Sequence, residues 1–138
     1  MNDFTYVTTE AAVSTYNSAT GVFNALLQEV RELSKKKPDA TMSPSKVKLI
    51  NAVLDDLLMV LHDDPESKYL RRLEDDELPQ VSDALLMMAQ FDAALDAFRK
   101  RYYRYVRINY LRKVFWITAE KVAEWEAQGE QIESGDEL

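Results

Sequence analysis

The chain has 138 residues, enough for one domain to bury about 68% of the surface its unfolded form exposes, so it needs neither disulfide nor metal to hold a core. It has no cysteine, which excludes a disulfide framework, thiolate metal sites and a cysteine nucleophile, and only three glycines, few for the tight turns of an all-β fold. Its 46% apolar and 30% charged residues are a globular composition, and its net charge of −7 argues against non-specific nucleic-acid binding by the chain as a whole.

Residues 1–8 read as an extended, partly polar arm. Met1-Asn2-Asp3-Phe4 lacks the basic and apolar regions of a signal peptide, and no run approaches the ~18 apolar residues of a membrane span. The expected location is cytoplasmic, with no membrane partner. From residue 9 a helical period begins with Val13, Tyr16, Ala19, Phe23, Leu26, Val30 and Leu33, and predicts a helix over 9–36. Gly21 lies inside it, either as a local weakness of about 1 kcal/mol or as a point of close helix approach. Lys35, Lys36 and Lys37 suit the negative helix end, and Pro38 stops it.

Ser43-Pro44 is an N-cap followed by proline at the first helical position. The stripe Val47, Ile50, Leu54, Leu57 and Leu61 predicts a second helix over 43–62. Asp64-Pro65 predicts a restart and a short third helix over 65–73, burying Tyr69, Leu70 and Leu73. Glu74-Asp75-Asp76-Glu77 is an acidic linker. A long stripe (Val81, Ala84 or Leu85, Met88, Phe91, Leu95, Phe98, Tyr102, Tyr105) predicts a fourth helix over 79–110, with Asp96 and Lys100 as an i, i+4 ion pair.

That period fails beyond Tyr105, because Asn109 and Lys113 would fall on the core face. Val106, Ile108 and Tyr110 alternate with Arg107 and Asn109, and Val114-Phe115-Trp116-Ile117 favours strand. A small β-hairpin near 104–117, turning about Leu111-Arg112, is therefore the alternative to helix. Helix is preferred, because no Asn-Gly or similar dipeptide marks a turn and an isolated hairpin needs a surface to pack on. Thr118 caps a last helix over 118–129, with Val122 and Trp125 inward and Gly129 as its stop. Residues 130–138 read as a disordered acidic tail.

The fold class expected is thus mainly α: a compact bundle of four to five helices in a single domain over 1–129. The expected core is Phe23, Leu26, Ile50, Leu54, Leu57, Met88, Phe91, Leu95 and Phe98.

Catalytic and metal signatures are lacking. The single histidine, His62, neighbours Asp63, Asp64 and Glu66, but consecutive carboxylates at a helix end point to water, whereas a metal needs ligands converging from rigid elements. A di-iron site needs Glu-x-x-His pairs, and position 59 is Met. Neither phosphate-binding glycine motif occurs. No cofactor, no metal and no enzymatic activity are expected.

One stretch stands out. Residues 99–113 hold seven basic residues and no acidic one, leaving −14 for the rest of the chain, and 98–116 interleave them with seven aromatics. Tyr, Trp and Arg are the residues most enriched at binding hot spots. This points to a non-enzymatic protein-interaction or dimerisation surface over 98–117, with Arg101, Tyr103, Arg104, Arg107, Tyr110, Arg112 and Trp116 as partner-binding residues. The partner is another protein or a second copy. Single-stranded nucleic acid is the alternative, with cations on phosphates and tyrosines under bases. A third reading is a small acidic regulator of a basic partner. On the ordinary helix reading, cations and aromatics segregate to opposite sides, and the cations form a solvated face.

Overall fold

In a computed structural model, described for residues 4, 6–129 and 132–134, the chain is mainly α-helical with a small antiparallel β-hairpin. The order is α1 (Glu10–Lys36), α2 (Pro44–Leu61), a 3-10 turn (Pro65–Tyr69), α3 (Val81–Tyr102), β1 (Tyr103–Ile108), β2 (Leu111–Trp116), α4 (Ala119–Ala127) and β3 (Ile132–Ser134). The strands form one sheet in the order β2-β1-β3. No helix among the described residues is long and apolar enough to cross a membrane. The chain divides into two units: Met1–Ser14 with Asp96–Leu138, and Thr15–Leu95.

The contiguous unit, Thr15–Leu95, is built as the apolar stripes predict. Ala19, Phe23, Leu27 and Val30 of α1, Ile50, Leu54 and Leu57 of α2, and Met88, Phe91 and Leu95 of α3 are buried, and the Phe23 and Phe91 rings meet at 6.5 Å. Leu26, expected in the core, is only half-buried; the stripe steps from Phe23 to Leu27 instead. The α2 start is the predicted one, with Lys46 N–H donating to Ser43 Oγ at 3.2 Å and Pro44 at the first turn. A Cβ added at Gly21 would meet nothing within 4 Å, so this glycine is a local weakness and not a helix contact.

The expected third helix over 65–73 is a 3-10 turn that ends at Tyr69. Beyond it the backbone is extended. Leu70 and Leu73 are buried as expected, but Tyr69 is 63% exposed. The extended backbone is held by a side chain: Asn51, 1% exposed, donates through Nδ2 to the Leu73 carbonyl at 2.9 Å and accepts the Leu73 N–H on Oδ1 at 2.7 Å. This two-bond clamp satisfies both Leu73 backbone groups where a strand partner is lacking. Similarly, Met42 N–H donates to the Pro79 carbonyl and Val81 N–H to the Ala40 carbonyl, each at 2.8 Å. This Thr41–Gln80 bridge keeps Pro79 out of the helix, so α3 begins at Val81.

The other unit corrects the sequence reading. The helix expected to reach residue 110 ends at Tyr102, and 103–116 form the hairpin. The turn lies at Asn109-Tyr110, two residues before the position considered. Asn109 supplies the positive φ of 57° that a tight hairpin loop requires; asparagine tolerates this region nearly as glycine does. Alternation wins over the helical period because it buries Val106 and half-buries Ile108 and Phe115, whereas a helix would turn Asn109 and Lys113 inward. The packing surface that an isolated hairpin would lack is supplied by α4. Trp125 is buried against Val106 and Ile117, with Phe4, Phe115 and Val122 around them. The Phe115 and Trp125 rings meet edge to face at 5.4 Å.

Two ends of this unit are stitched together. Thr8 N–H donates to the Ile117 carbonyl at 3.0 Å, and Ala119 N–H donates to the Thr8 carbonyl at 2.8 Å. Thr118 caps α4 as predicted, accepting from Lys121 N–H at 3.1 Å, and donates its hydroxyl to Glu10 Oε1 at 2.8 Å. Glu120 Oε1 in turn accepts the Glu10 N–H at 3.1 Å. A carboxylate from each helix thus serves the positive end of the other. Gly129, φ +68°, ends α4 in the left-handed conformation that suits glycine. Within the expected tail over 130–138, Ile132–Ser134 pair with β1 as β3; the remainder lies outside the described residues.

Candidate functional site

The strand register sorts the basic-aromatic segment into two faces. β1 and β2 pair Tyr103 with Trp116, Tyr105 with Val114 and Arg107 with Arg112; these six residues share one face of the sheet. Arg104 with Phe115, Val106 with Lys113 and Ile108 with Leu111 share the other. The second face rests through Val106, Ile108 and Phe115 on Trp125. All six residues of the first face keep solvent exposure.

That first face is a ladder of alternating rings and guanidiniums. The Tyr103 and Trp116 rings meet at 4.9 Å, and Arg99, at the end of α3, lies 4.8 Å over the Tyr103 ring. Arg112 lies 5.0 Å over the Tyr105 ring. Trp116 also touches the buried Phe98, 5.7 Å away, which anchors the ladder at its α3 end. Cation–ring stacking of this kind contributes about 0.5–1 kcal/mol at exposed sites and, more usefully, holds long arginines in fixed orientation. Arg107 and Arg112 stand directly opposite each other in the register, which places two guanidiniums on this face.

Of the seven residues expected to bind a partner, Tyr103, Arg107, Arg112 and Trp116 are brought together on this face. Tyr110 is fully exposed at the hairpin tip beside the exposed Leu111. Arg104 is on the opposite face and half-buried, and Arg101 lies at the end of α3, 5.9 Å over the Tyr102 ring. Sequence reasoning missed Arg99, Tyr105 and Val114. Tyr105 was expected to point into the core of a helix. The signal that finds it is the alternation over 103–108 combined with Asn109 as the turn. Lys100 stands apart, paired with Asp96 at 2.8 Å as expected; that hydrogen bond raises its ammonium pKa.

Elsewhere the surface is less specific. His62 is exposed, its Nδ1 within 2.8 Å of the Met59 carbonyl and its Nε2 within 3.1 Å of Asp63. Among the described residues no three His, Cys, Asp or Glu side chains are placed to hold a metal ion. Arg72 grips Asp55 with Nε at 3.0 Å and Nη2 at 3.2 Å and reaches Asp75 at 3.4 Å; the hydrogen bond to Asp55 raises its pKa. Part of the acidic surface is thereby neutralised internally. A groove of about 340 Å³ lies between α1 and α2, lined by Leu26, Val30, Leu33, Met42, Leu49 and Ile50. Its rim residues Glu29, Glu32, Lys36 and Lys46 carry both signs and select neither.

Compared with known proteins, the chain matches no family model, no curated protein and no solved structure.

Proposed function

We propose that this chain is a non-enzymatic interaction module that binds a protein, a second copy included, through the sheet face of Tyr103, Tyr105, Arg107, Arg112, Val114 and Trp116. The observation that carries the reading is the register. It puts aromatics and arginines on the same face, where a helix would have segregated them. Such a mixed face differs from a core stripe backed by a separate charged face, and that difference supports the reading. Rigid rings with guanidiniums stacked on them suit a partner surface that combines apolar and acidic groups.

Protein is favoured over single-stranded nucleic acid because the ring faces are already engaged. Arg99 and Trp116 pack on Tyr103, and Arg112 lies over Tyr105. A base would have to displace them before stacking.

The test is light scattering with ultraviolet absorbance on the full chain purified without nuclease, compared with Arg107→Glu/Arg112→Glu. The expected result is self-association that the double substitution abolishes. Co-purified nucleic acid, released by salt and lost in the same variant, overturns the protein reading. A clean monomer moves the test to affinity capture with both forms as bait, where equal capture overturns it.

A further inference from the structure

The groove between α1 and α2 is lined by residues of the Thr15–Leu95 unit. Its floor is aliphatic: Val30, Met42 and Ile50 are buried, Leu26 and Leu33 are half-buried, and Leu49 is 53% exposed. From Ala25 to Lys36 it follows α1 for about 16 Å, at a helical rise of ~1.5 Å per residue. Its volume of about 340 Å³ lies within the roughly 300–1,000 Å³ of small-molecule sites. Among the described residues no aromatic ring lines it, so it is a slot for a flexible chain and no platform for a flat ring.

The four rim charges cancel in sum but are sorted along the groove. Lys36 closes α1 and Lys46 stands in the first turn of α2, so the connection over 37–43 brings both to one end. Among the described residues neither lysine is in an ion pair, whereas Glu32 accepts from Lys35 Nζ and from Gln28 Nε2, each at 3.1 Å. Lys46 also runs against its own helix. A cation is disfavoured at the positive end, and no acidic residue in the first turn offsets it. Glu29 precedes Lys36 by two helical turns, roughly 10 Å along the axis and beyond the screening length of about 8 Å at physiological salt.

We infer that this groove is a binding site for a single-chain alkyl carboxylate, its head at Lys36 and Lys46 and its tail along Leu33, Val30 and Leu26. The aliphatic floor gives the affinity, in proportion to the methylene surface it takes from water. The two ammoniums give the polarity. With the head at their end, only uncharged methylenes pass Glu29, whereas a reversed ligand would set its carboxylate beside that of Glu29. Leu26, which the sequence places in the core and the free protein leaves half-buried, is then covered by the ligand. The site is independent of the sheet face over 103–116 and takes a small molecule where that face takes a protein.

The experiment is isothermal titration calorimetry of the full chain with dodecanoate, octanoate and dodecyltrimethylammonium, each kept below its micelle-forming concentration. Dodecanoate is expected to bind one molecule per chain. Octanoate, four methylenes shorter, should bind about tenfold or more weakly. Lys36→Glu/Lys46→Glu, with its helical circular dichroism unchanged, should weaken dodecanoate about tenfold and leave dodecyltrimethylammonium no weaker than before. No binding of dodecanoate, several molecules per chain, equal affinity for the two head groups, or indifference to the double substitution overturns the site. Amide resonances give a second readout that needs no variant. Dodecanoate must shift residues 25–36 and 42–50 of the unaltered chain, and shifts confined to 103–116 or spread evenly overturn the assignment.

Discussion

The two units of this chain meet the same burial problem with different materials. Thr15–Leu95 uses long helices whose apolar residues recur every three or four positions, and its irregular backbone at 70–73 is satisfied by one side chain, Asn51. The unit of Met1–Ser14 and Asp96–Leu138 uses short elements, a two-residue turn and bonds between residues more than a hundred positions apart, such as Glu10 with Glu120. The first kind of unit draws its order from periodicity, the second from a few positions whose backbone or hydrogen bonding cannot be replaced.

The comparison can be broken at Asn51, a single irreplaceable position inside the periodic unit. Asn51→Ala leaves the buried Leu73 N–H and carbonyl without partners, and should cost about 3 kcal/mol in denaturant unfolding. A loss below about 1 kcal/mol would mean that water enters and takes over the clamp.

It can be sharpened at the hairpin turn. Asn109→Gly should be nearly neutral, whereas Asn109→Val, which places a β-branched residue at φ 57°, should cost about 1–2 kcal/mol and reduce amide protection along β1 and β2. Equal stabilities would show that the turn does not set the register.

The smallest effect contrasts two glycines. Gly21→Ala should stabilise by about 0.4–1 kcal/mol, since the helix there has open space, whereas Gly129→Ala, at φ +68°, should destabilise by a similar amount. Thermal midpoints moving in the same direction would contradict the assignment of both positions.

This contrast also explains what was legible in the sequence. The stripes through Phe23, Ile50, Leu54, Leu57, Met88 and Phe91 gave the helices and core of one unit, and Ser43-Pro44 and Thr118 gave two helix starts, because caps and periodicity are local signals. Leu26 failed against Leu27 because a stripe three residues off is equally periodic. The end of α3 was misplaced because Tyr102 and Tyr105 fit a helical face, although Arg99, Lys100 and Arg101 together are what a final helical turn favours. The hairpin was hidden by a turn without glycine, and its stability depended on Trp125, a residue distant in sequence. The composition of the interaction face could be read directly, but which residues share it could not. A one-residue change in pairing would exchange Arg104 for Tyr105.

The discontinuity of one unit also orders the chain's assembly in time. Residues 15–95 are complete as soon as the last of them leaves the ribosome, so this unit can collect its core from a nascent chain. Thr8, waiting for Ile117 and Ala119, and Glu10, waiting for Thr118 and Glu120, must stay unsatisfied until the polypeptide is nearly finished. The basic-aromatic ladder, the hairpin that presents it and the acidic strand beside it therefore come into being last. A nascent or truncated product lacking α4 would carry the cations and rings without the surface that aligns them.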